Sequence, residues 1–224
     1  MKQLLILSVC LAAMTACARL PRIDAFPAGY SPMAAPACRD LFPNGRWQLF
    51  HSIEATLPGG DRQVLTGVSV LSSEDRSIRW ALMTVEGFVI FSGRWNGALT
   101  VDRAVPPFDR PGFAQGLVKD LKLLFFAPGD PLLATGRLSQ GDPVCRFGSA
   151  DNTIDIAMGE EGSRIVRQYG PNHRLARSVV ADTPPDMARG PFPGHLILKH
   201  HGIIGYQLEL KLIEAIPINE EPKE

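Results

Sequence analysis

The chain has 224 residues, of which 23 are basic and 23 acidic, so its formal net charge is zero. A neutral chain lacks the basic surface expected of a protein that binds nucleic acid through its phosphates, and we expect no nucleic-acid partner. Nineteen prolines and twenty-one glycines indicate many turns, which favours short strands over a helical bundle.

The N-terminus has the parts of a secretory signal: Lys2, an apolar run over residues 4–14, and small residues before Cys17. The apolar run is shorter than the roughly 20 residues that a membrane-spanning helix needs. Residues 14–17, Met-Thr-Ala-Cys, resemble the lipobox of bacterial lipoproteins, whose cysteine is acylated. We therefore predict a cleaved signal peptide at residues 1–16 and a lipid anchor on Cys17. The alternative is an ordinary signal peptide with a chance cysteine.

The residue after the lipobox cysteine indicates whether a lipoprotein stays in the inner membrane or reaches the outer membrane. It is Ala18, and not the Asp that retains many lipoproteins in the inner membrane. The resemblance therefore implies attachment to the periplasmic face of the outer membrane, where several acyl chains anchor a protein stably.

Two cysteines remain after Cys10 leaves with the signal and Cys17 takes the lipid. In an oxidising compartment, Cys38 and Cys145 are expected to form a disulfide. The bond would close a loop of 107 residues (145 − 38) and contribute roughly 4–5 kcal/mol in the chain-entropy model. Two separate buried thiols are the alternative.

The mature chain divides by composition. Residues 17–44 combine the lipidated cysteine with a Pro- and Ala-rich stretch that is typical of a tether. Residues 45–218 carry the strand patterns and form the expected domain, and residues 219–224 are a polar tail.

The domain starts with a predicted meander of five strands. Alternating apolar residues and turn signals such as Asn96-Gly97 mark its hairpins. Five more strands are predicted towards the C-terminus, at 153–158, 164–169, 175–181, 196–200 and 206–215.

Between the two sets, prolines break the strand pattern and a helix is predicted over residues 111–126. Its apolar stripe is Phe113, Leu117, Val118, Leu121, Leu124 and Phe125. The predicted fold class is mainly β (α+β): about ten antiparallel strands in one curved sheet, with the helix in its concavity.

This order of parts resembles the periplasmic lipoprotein carrier LolA and its outer-membrane partner LolB. The resemblance rests on residues 78–101, the helix segment Val118–Phe125, and residues 196–213 with their His201-Gly202 turn. A still closer likeness is to an uncharacterised family of Gram-negative outer-membrane lipoproteins found beside lipid or aryl-polyene biosynthesis genes. Where that family has Trp-Pro after its helix, this chain has Phe125-Phe126-Ala127-Pro128. The resemblance implies a half-open antiparallel β-barrel with a helical lid. It also implies a LolB-like lipid-binding domain with an apolar cavity for acyl chains.

The residues expected to bind lipid form an aromatic-rich set on the third and fourth strands and the helix. They are Trp80, Phe88, Phe91, Trp95, Phe113, Leu117, Leu121 and Phe125. Two interpretations stay open, because both require apolar residues facing inward. One is a cavity that takes an acyl chain; the other is a core filled by its own side chains, in a structural lipoprotein that scaffolds an envelope assembly.

Signatures of other chemistry are missing from the sequence. There is no phosphate-binding glycine loop, no Gly-x-Ser-x-Gly elbow and no His-Glu-x-x-His. We therefore expect no catalytic residues, no cofactor and no enzyme, with a periplasmic acyl-transfer or hydrolytic enzyme as the alternative. A zinc site needs three or four converging ligands, and the cluster His195, His200 and His201 alternates between faces, so no metal is expected. Asp120 is interpreted as a helix-surface charge, with a polar clamp on the lid or a catalytic acid as alternatives. The expected partners are a lipid or acylated cargo, the membrane and an envelope protein.

Overall fold

The computed structural model describes residues 20–26, 38–110, 112–149, 152–159, 163–181, 190–202 and 204–218. The predicted signal peptide, Cys17 and the tail at 219–224 lie outside the described residues. In the described part, no helix combines the length and apolar composition that crossing a bilayer would require.

In the described residues, twelve strands form one antiparallel sheet. Their bounds are β1 Arg46–Thr56, β2 Arg62–Ser72, β3 Ser77–Met83, β4 Val89–Trp95, β5 Leu99–Ala104, β6 Leu132–Arg137, β7 Pro143–Ser149, β8 Asn152–Met158, β9 Arg164–Tyr169, β10 Leu175–Ala181, β11 His195–His200 and β12 Tyr206–Pro217. The order across the sheet is β5-β4-β3-β2-β1-β12-β11-β10-β9-β8-β7-β6. Two meanders therefore meet where β1 pairs with β12, and β5 and β6 are the two edges.

The topology determines where the helix must lie. Helix α1, Phe113–Phe125, connects β5 to β6, which are opposite edges of the sheet. The connection has to cross the sheet, and α1 crosses its concave face, in contact with β5 and β11. The predicted mainly β fold, with a curved sheet and a helical lid, is confirmed.

The number of strands differs from the expected ten because β6 and β7 were not predicted. Both are short, and Gly136, Pro143 and Gly148 interrupt their apolar pattern. Proline is tolerated at the first residue of a strand, which is the place of Pro143 in β7.

One apolar core lies between α1 and the inward face of the sheet. Alternate residues of the strands point into it, among them Leu49, Ile78, Phe91, Ile156 and Leu198, all of which are almost fully buried. From the helix side, Val118, Leu121, Leu124 and Phe125 complete the core.

The predicted disulfide is confirmed. Cys38 and Cys145 are bonded, with 6.4 Å between their Cα atoms. Both cysteines are buried, and Phe42 lies in the same core. Residues 38–44, which the sequence suggested as part of a tether, are thus packed against the sheet and covalently joined to β7.

The lid, its buried charges and the LolA-like fold

Most of the predicted lipid-binding residues meet between α1 and strands β3 and β4. The Trp80 and Phe91 rings stack, with 6.3 Å between their centroids. Phe113 at the start of α1 meets Phe91 edge-on, at 5.1 Å. Leu121 and Phe125 are buried in the same core. Trp80 and Phe91 thus form an aromatic floor under the helix.

The other three predicted residues lie nearer to solvent. Leu117 and Trp95 are half-buried at the margin of the core, where the Lys122 ammonium lies 3.6 Å from the centroid of the Trp95 ring. Phe88 is 71 % exposed in the turn between β3 and β4, whose ends are joined by a bond from the Thr84 amide to the Phe88 carbonyl. The structure does not bring Phe88 to the interior cluster.

Asp120 is buried on the side of α1 that faces the sheet, so the interpretation as a helix-surface charge is wrong. The residue is 2 % exposed. The Arg177 Nε donates to Asp120 Oδ1 at 2.6 Å, and the Tyr206 hydroxyl donates to Oδ2. Burial raises the pKa of the Asp120 carboxyl, against the opposing effect of the Tyr206 and Arg177 bonds. The ion pair with Arg177 therefore connects the middle of α1 to β10, and the hydrogen bond from Tyr206 connects it to β12.

A polar chain continues from this ion pair across the inward face of β10, β9 and β8. The Arg177 guanidinium donates to the side-chain amide oxygen Oε1 of Gln168 at 3.4 Å. Gln168 donates to Asn152 at 2.9 Å, and Asn152 donates to Asp130 at 3.4 Å. His200 stacks on Tyr206 with 5.0 Å between ring centroids. The second meander thus carries a polar chain beside its apolar core residues, whereas the aromatic floor lies on the first meander.

Arg164 makes a second buried attachment, at the C-terminal end of α1. Its guanidinium donates to the carbonyl oxygens of Leu41 and Leu124 and lies 4.1 Å from the centroid of the Phe42 ring. Burial lowers its pKa to about 10. In the described part of the chain its Nε has no hydrogen-bond partner. Because Leu124 is in the last turn, the positive charge also lies at the negative end of the helix dipole.

His51 lies on the inward face of β1, with its ring centroid 5.7 Å from that of Phe125. Burial lowers its pKa to about 4, so the imidazole is neutral at neutral pH. Its Nε2 and the Trp80 Nε1 are both buried, and neither has a hydrogen-bond partner among the described residues.

No residue of α1 borders either of two pockets found on the described surface. One, of about 650 Å³, lies at the end of the sheet beside Arg46, Trp95 and Pro217. The other, of about 350 Å³, lies on the outer face over Val68 and Arg79. Under the helix, the space is taken by buried side chains of α1 itself.

Sequence patterns did not single out Arg164, Arg177, Tyr206 or His51. Alternation along β9 and β10 places Arg164 and Arg177 on the same face as the core residues Val166 and Val179. A charged residue on the apolar face of a strand is therefore the signal that could have found them.

Comparison with known proteins establishes the fold. No protein-family model matches the chain, and no curated protein matches it. A solved LolA superfamily protein from Nitrosomonas europaea aligns with 86 % of this chain and 96 % of its own, with a TM-score of 0.56 and 10 % identity. A putative outer membrane lipoprotein-sorting protein domain from Vibrio parahaemolyticus aligns with 84 % of this chain and 92 % of its own, with a TM-score of 0.54 and 10 % identity. The chain has the LolA-like fold.

The LolA-like fold confirms the expected resemblance at the level of architecture. Both neighbours align over nearly their whole length. The narrower likeness, to the family found beside lipid and aryl-polyene biosynthesis genes, stays a prediction.

Proposed function

We propose that the protein is a lipid-anchored protein of the outer membrane, facing the periplasm, that holds an acyl chain or an acylated cargo between α1 and the concave face of the sheet. It binds and presents this cargo without catalysing a reaction. The LolA-like fold supports the proposal, and one neighbour is described as a lipoprotein-sorting protein. The predicted lipid on Cys17 supports the location.

The observation that carries the proposal is the way α1 is attached. A helix that only completes a core is held best by apolar contacts, since an ion pair loses much of its attraction to the cost of leaving water. Here a buried ion pair, Asp120 with Arg177, lies in the middle of the packing face. Such a pair gives the closed position a defined register, and it loses its favourable geometry once the helix moves. These properties are expected of a contact that holds a movable helix in its closed position.

The interior is chemically suited to an acyl chain. With α1 displaced, the aromatic floor of Trp80 and Phe91 and the aliphatic residues of β1 and β2 would face a vacated apolar groove. In the closed form, side chains of α1 occupy this space, so the cargo has to take the place of Leu121, Leu124 and Phe125. Uptake therefore requires movement of the helix.

The test is uptake of a fluorescent C16 fatty acid by the purified domain. Asp120→Asn removes the ion pair and leaves the Arg177 charge buried, a change that costs about 3–5 kcal/mol in a buried pair. Since about 1.4 kcal/mol corresponds to tenfold, the open form should rise and uptake should quicken by at least about tenfold. Lys119→Gln, the neighbouring helix position outside the core, is the matched control and should behave as the wild type.

A structural scaffold with a filled core is the second candidate, and the dense packing under α1 favours it. Native mass spectrometry separates the two, because a carrier should retain lipid from the envelope in part of its population. If the protein carries no lipid and neither the wild type nor Asp120→Asn takes up the fatty acid, the carrier function is wrong and the scaffold replaces it.

A further inference from the structure

The N-terminal segment is attached to the sheet close to the predicted lipid anchor. Asp24 forms an antiparallel bridge with Arg137 at the end of β6. The Asp24 amide donates to the Arg137 carbonyl at 2.9 Å, and the Arg137 amide donates back at 2.8 Å. The segment therefore covers part of an edge strand that would otherwise present free backbone groups.

Side chains continue this attachment onto the outer face of the sheet, the face turned away from α1. Ile23 packs against a small apolar cluster there that includes Leu138 and Val144. Arg146 donates to the Pro21 carbonyl at 2.8 Å. Its guanidinium is held in place by Asp155, with two bonds of 2.7 Å. A fixed, charged donor therefore holds the backbone three residues before the bridge.

The close approach of residues 23 and 24 to β6 requires a glycine at position 136. A Cβ atom at position 136 would collide with the Asp24 carbonyl oxygen and lie 2.5 Å from the Ile23 Cγ2. Any larger residue would push the segment off the edge. We name the contact of residues 20–24 with Gly136, Arg137, Leu138, Val144 and Arg146 the N-terminal docking site.

We propose that the N-terminal docking site fixes the orientation of the domain on the bilayer, with the outer face of β6 to β8 against the lipid surface. The inference rests on the proposed lipid anchor at Cys17. Leu20 lies three positions after Cys17 (20 − 17), and three Cα-to-Cα steps span at most about 11 Å. The acyl chains must therefore enter the membrane within that distance of the docking site.

This orientation has a consequence for the lid. Arg146 and Asp155 pair across β7 and β8 and point to the outer face. The adjacent pair, Phe147 and Ile154, lies in the core and points to α1. With the outer face towards the bilayer, the helix-covered face of these strands is turned to the periplasm. Cargo thus reaches the lid from the aqueous side, and the β5 edge stands away from the lipid.

The experiment places one fluorescent label near the N-terminal docking site and a second on the opposite edge of the sheet. The acylated, full mature protein is bound to phosphatidylethanolamine–phosphatidylglycerol vesicles that contain a headgroup-attached nitroxide quencher. Gln140→Cys puts a bimane in the exposed turn after β6, and Val101→Cys puts one on the exposed β5 edge. Because Cys17 is acylated and Cys38 is in a disulfide, the added thiol is labelled alone. Quenching at position 140 should be at least threefold that at position 101.

Two variants release the segment without touching the lipid anchor. Gly136→Ala creates the collision with Asp24, and Ile23→Asp places a charge against the small apolar cluster. Both should bring the quenching ratio of the two labels close to one. Both should also speed tryptic cleavage after Arg22 at least tenfold, a readout that needs no membrane. Gly170→Ala, whose Cβ meets no atom within 4 Å, is the control and should match the wild type.

The outcomes separate the two proposals. If the mature protein lacks the acyl mass and does not float with vesicles, the anchor itself is wrong and the orientation falls with it. If the protein is acylated and floats but both labels are quenched alike, or the difference survives in both release variants, only the orientation is wrong.

Discussion

His51 should make the domain sensitive to acid. Its pKa is lowered from 6.5 to about 4 because the imidazole is buried against Phe125. In the unfolded chain the ring takes up a proton near pH 6.5, so between pH 6.5 and 4 the unfolded state binds more protons than the folded state. By linkage, stability is then lost as the pH falls.

The size of the loss follows from the shift. One pKa unit corresponds to about 1.4 kcal/mol, so His51 alone should lower the free energy of unfolding by about 2 kcal/mol between pH 7 and 5, and by about 3 kcal/mol at pH 4. The carboxylates of the protein add their own dependence, so the measured quantity is a difference between variants.

Urea unfolding at pH 7, 5 and 4 measures this difference. His51→Leu removes the titrating ring and should flatten the stability profile by the stated amounts. His173→Asn, in an exposed turn where the residue has a positive φ of 56°, changes a histidine that has no such burial and should keep the wild-type profile. If His51→Leu follows the same profile as the wild type from pH 7 to 4, His51 is not the buried neutral group described above.

Three further predictions concern the anchor, the disulfide and two glycines. Cys17→Ala should leave the protein free in the periplasm because the acyl acceptor is gone; processing of the wild type that globomycin does not inhibit would contradict the lipoprotein interpretation. Replacing Cys38 and Cys145 together by Ser should lower the free energy of unfolding by about 2–5 kcal/mol, measured in urea, and two alkylatable thiols in the denatured, non-reduced wild type would show that the bond is absent. Gly93→Ala should destabilise by about 1–3 kcal/mol, because the new Cβ would lie 2.8 Å from a backbone oxygen of β5. Gly116→Ala meets no atom within 4 Å and should stabilise α1 by about 0.5–1 kcal/mol; equal effects of the two changes in thermal unfolding would contradict the packing described for β4.

The strands that could be predicted from sequence are those with a clear period of two and a turn signal at each end. β1 to β3 satisfy both conditions, and the hairpin at Asn96-Gly97 lies where it was expected. β6 does not, because Gly136 interrupts its apolar pattern and one of its contacts is with a residue remote in sequence. Its free edge is covered by Asp24, which is 113 residues (137 − 24) before its partner Arg137. A local pattern cannot report such a contact.

The candidate site was predictable on its aromatic side and not on its charged side. Trp80 and Leu121 could be placed because alternation and helical period identify one apolar face each. Phe88 was misplaced because the apolar run from Phe88 to Phe91 gives no period, and the strand begins one residue later, at Val89. Asp120 looked like a surface charge because its partner Arg177 lies 57 residues away, and only the tertiary fold brings the two together.

The energies of lid and cargo lead to a last prediction, a threshold in chain length. Val118, Leu121, Leu124 and Phe125 are buried when α1 is closed, and exposing them costs about 2 kcal/mol each, about 8 kcal/mol in all. An acyl chain that takes their place gains about 0.8 kcal/mol for each buried methylene, so about ten methylenes are needed to offset the opening. Fatty acids of eight carbons should therefore fail to displace the bound fluorescent C16 probe, whereas those of sixteen should compete.

Near the threshold, each added methylene should tighten binding about fourfold, since 0.8 kcal/mol is a little over half of a tenfold step. Leu121→Ala removes about 2 kcal/mol of the closing energy and should shift the threshold down by two or three methylenes. Its matched control, Leu133→Ala, changes an exposed leucine of β6 and should leave the threshold in place. If affinity is independent of chain length from eight to sixteen carbons, the acyl chain does not replace the helix side chains and α1 is not the lid of the site.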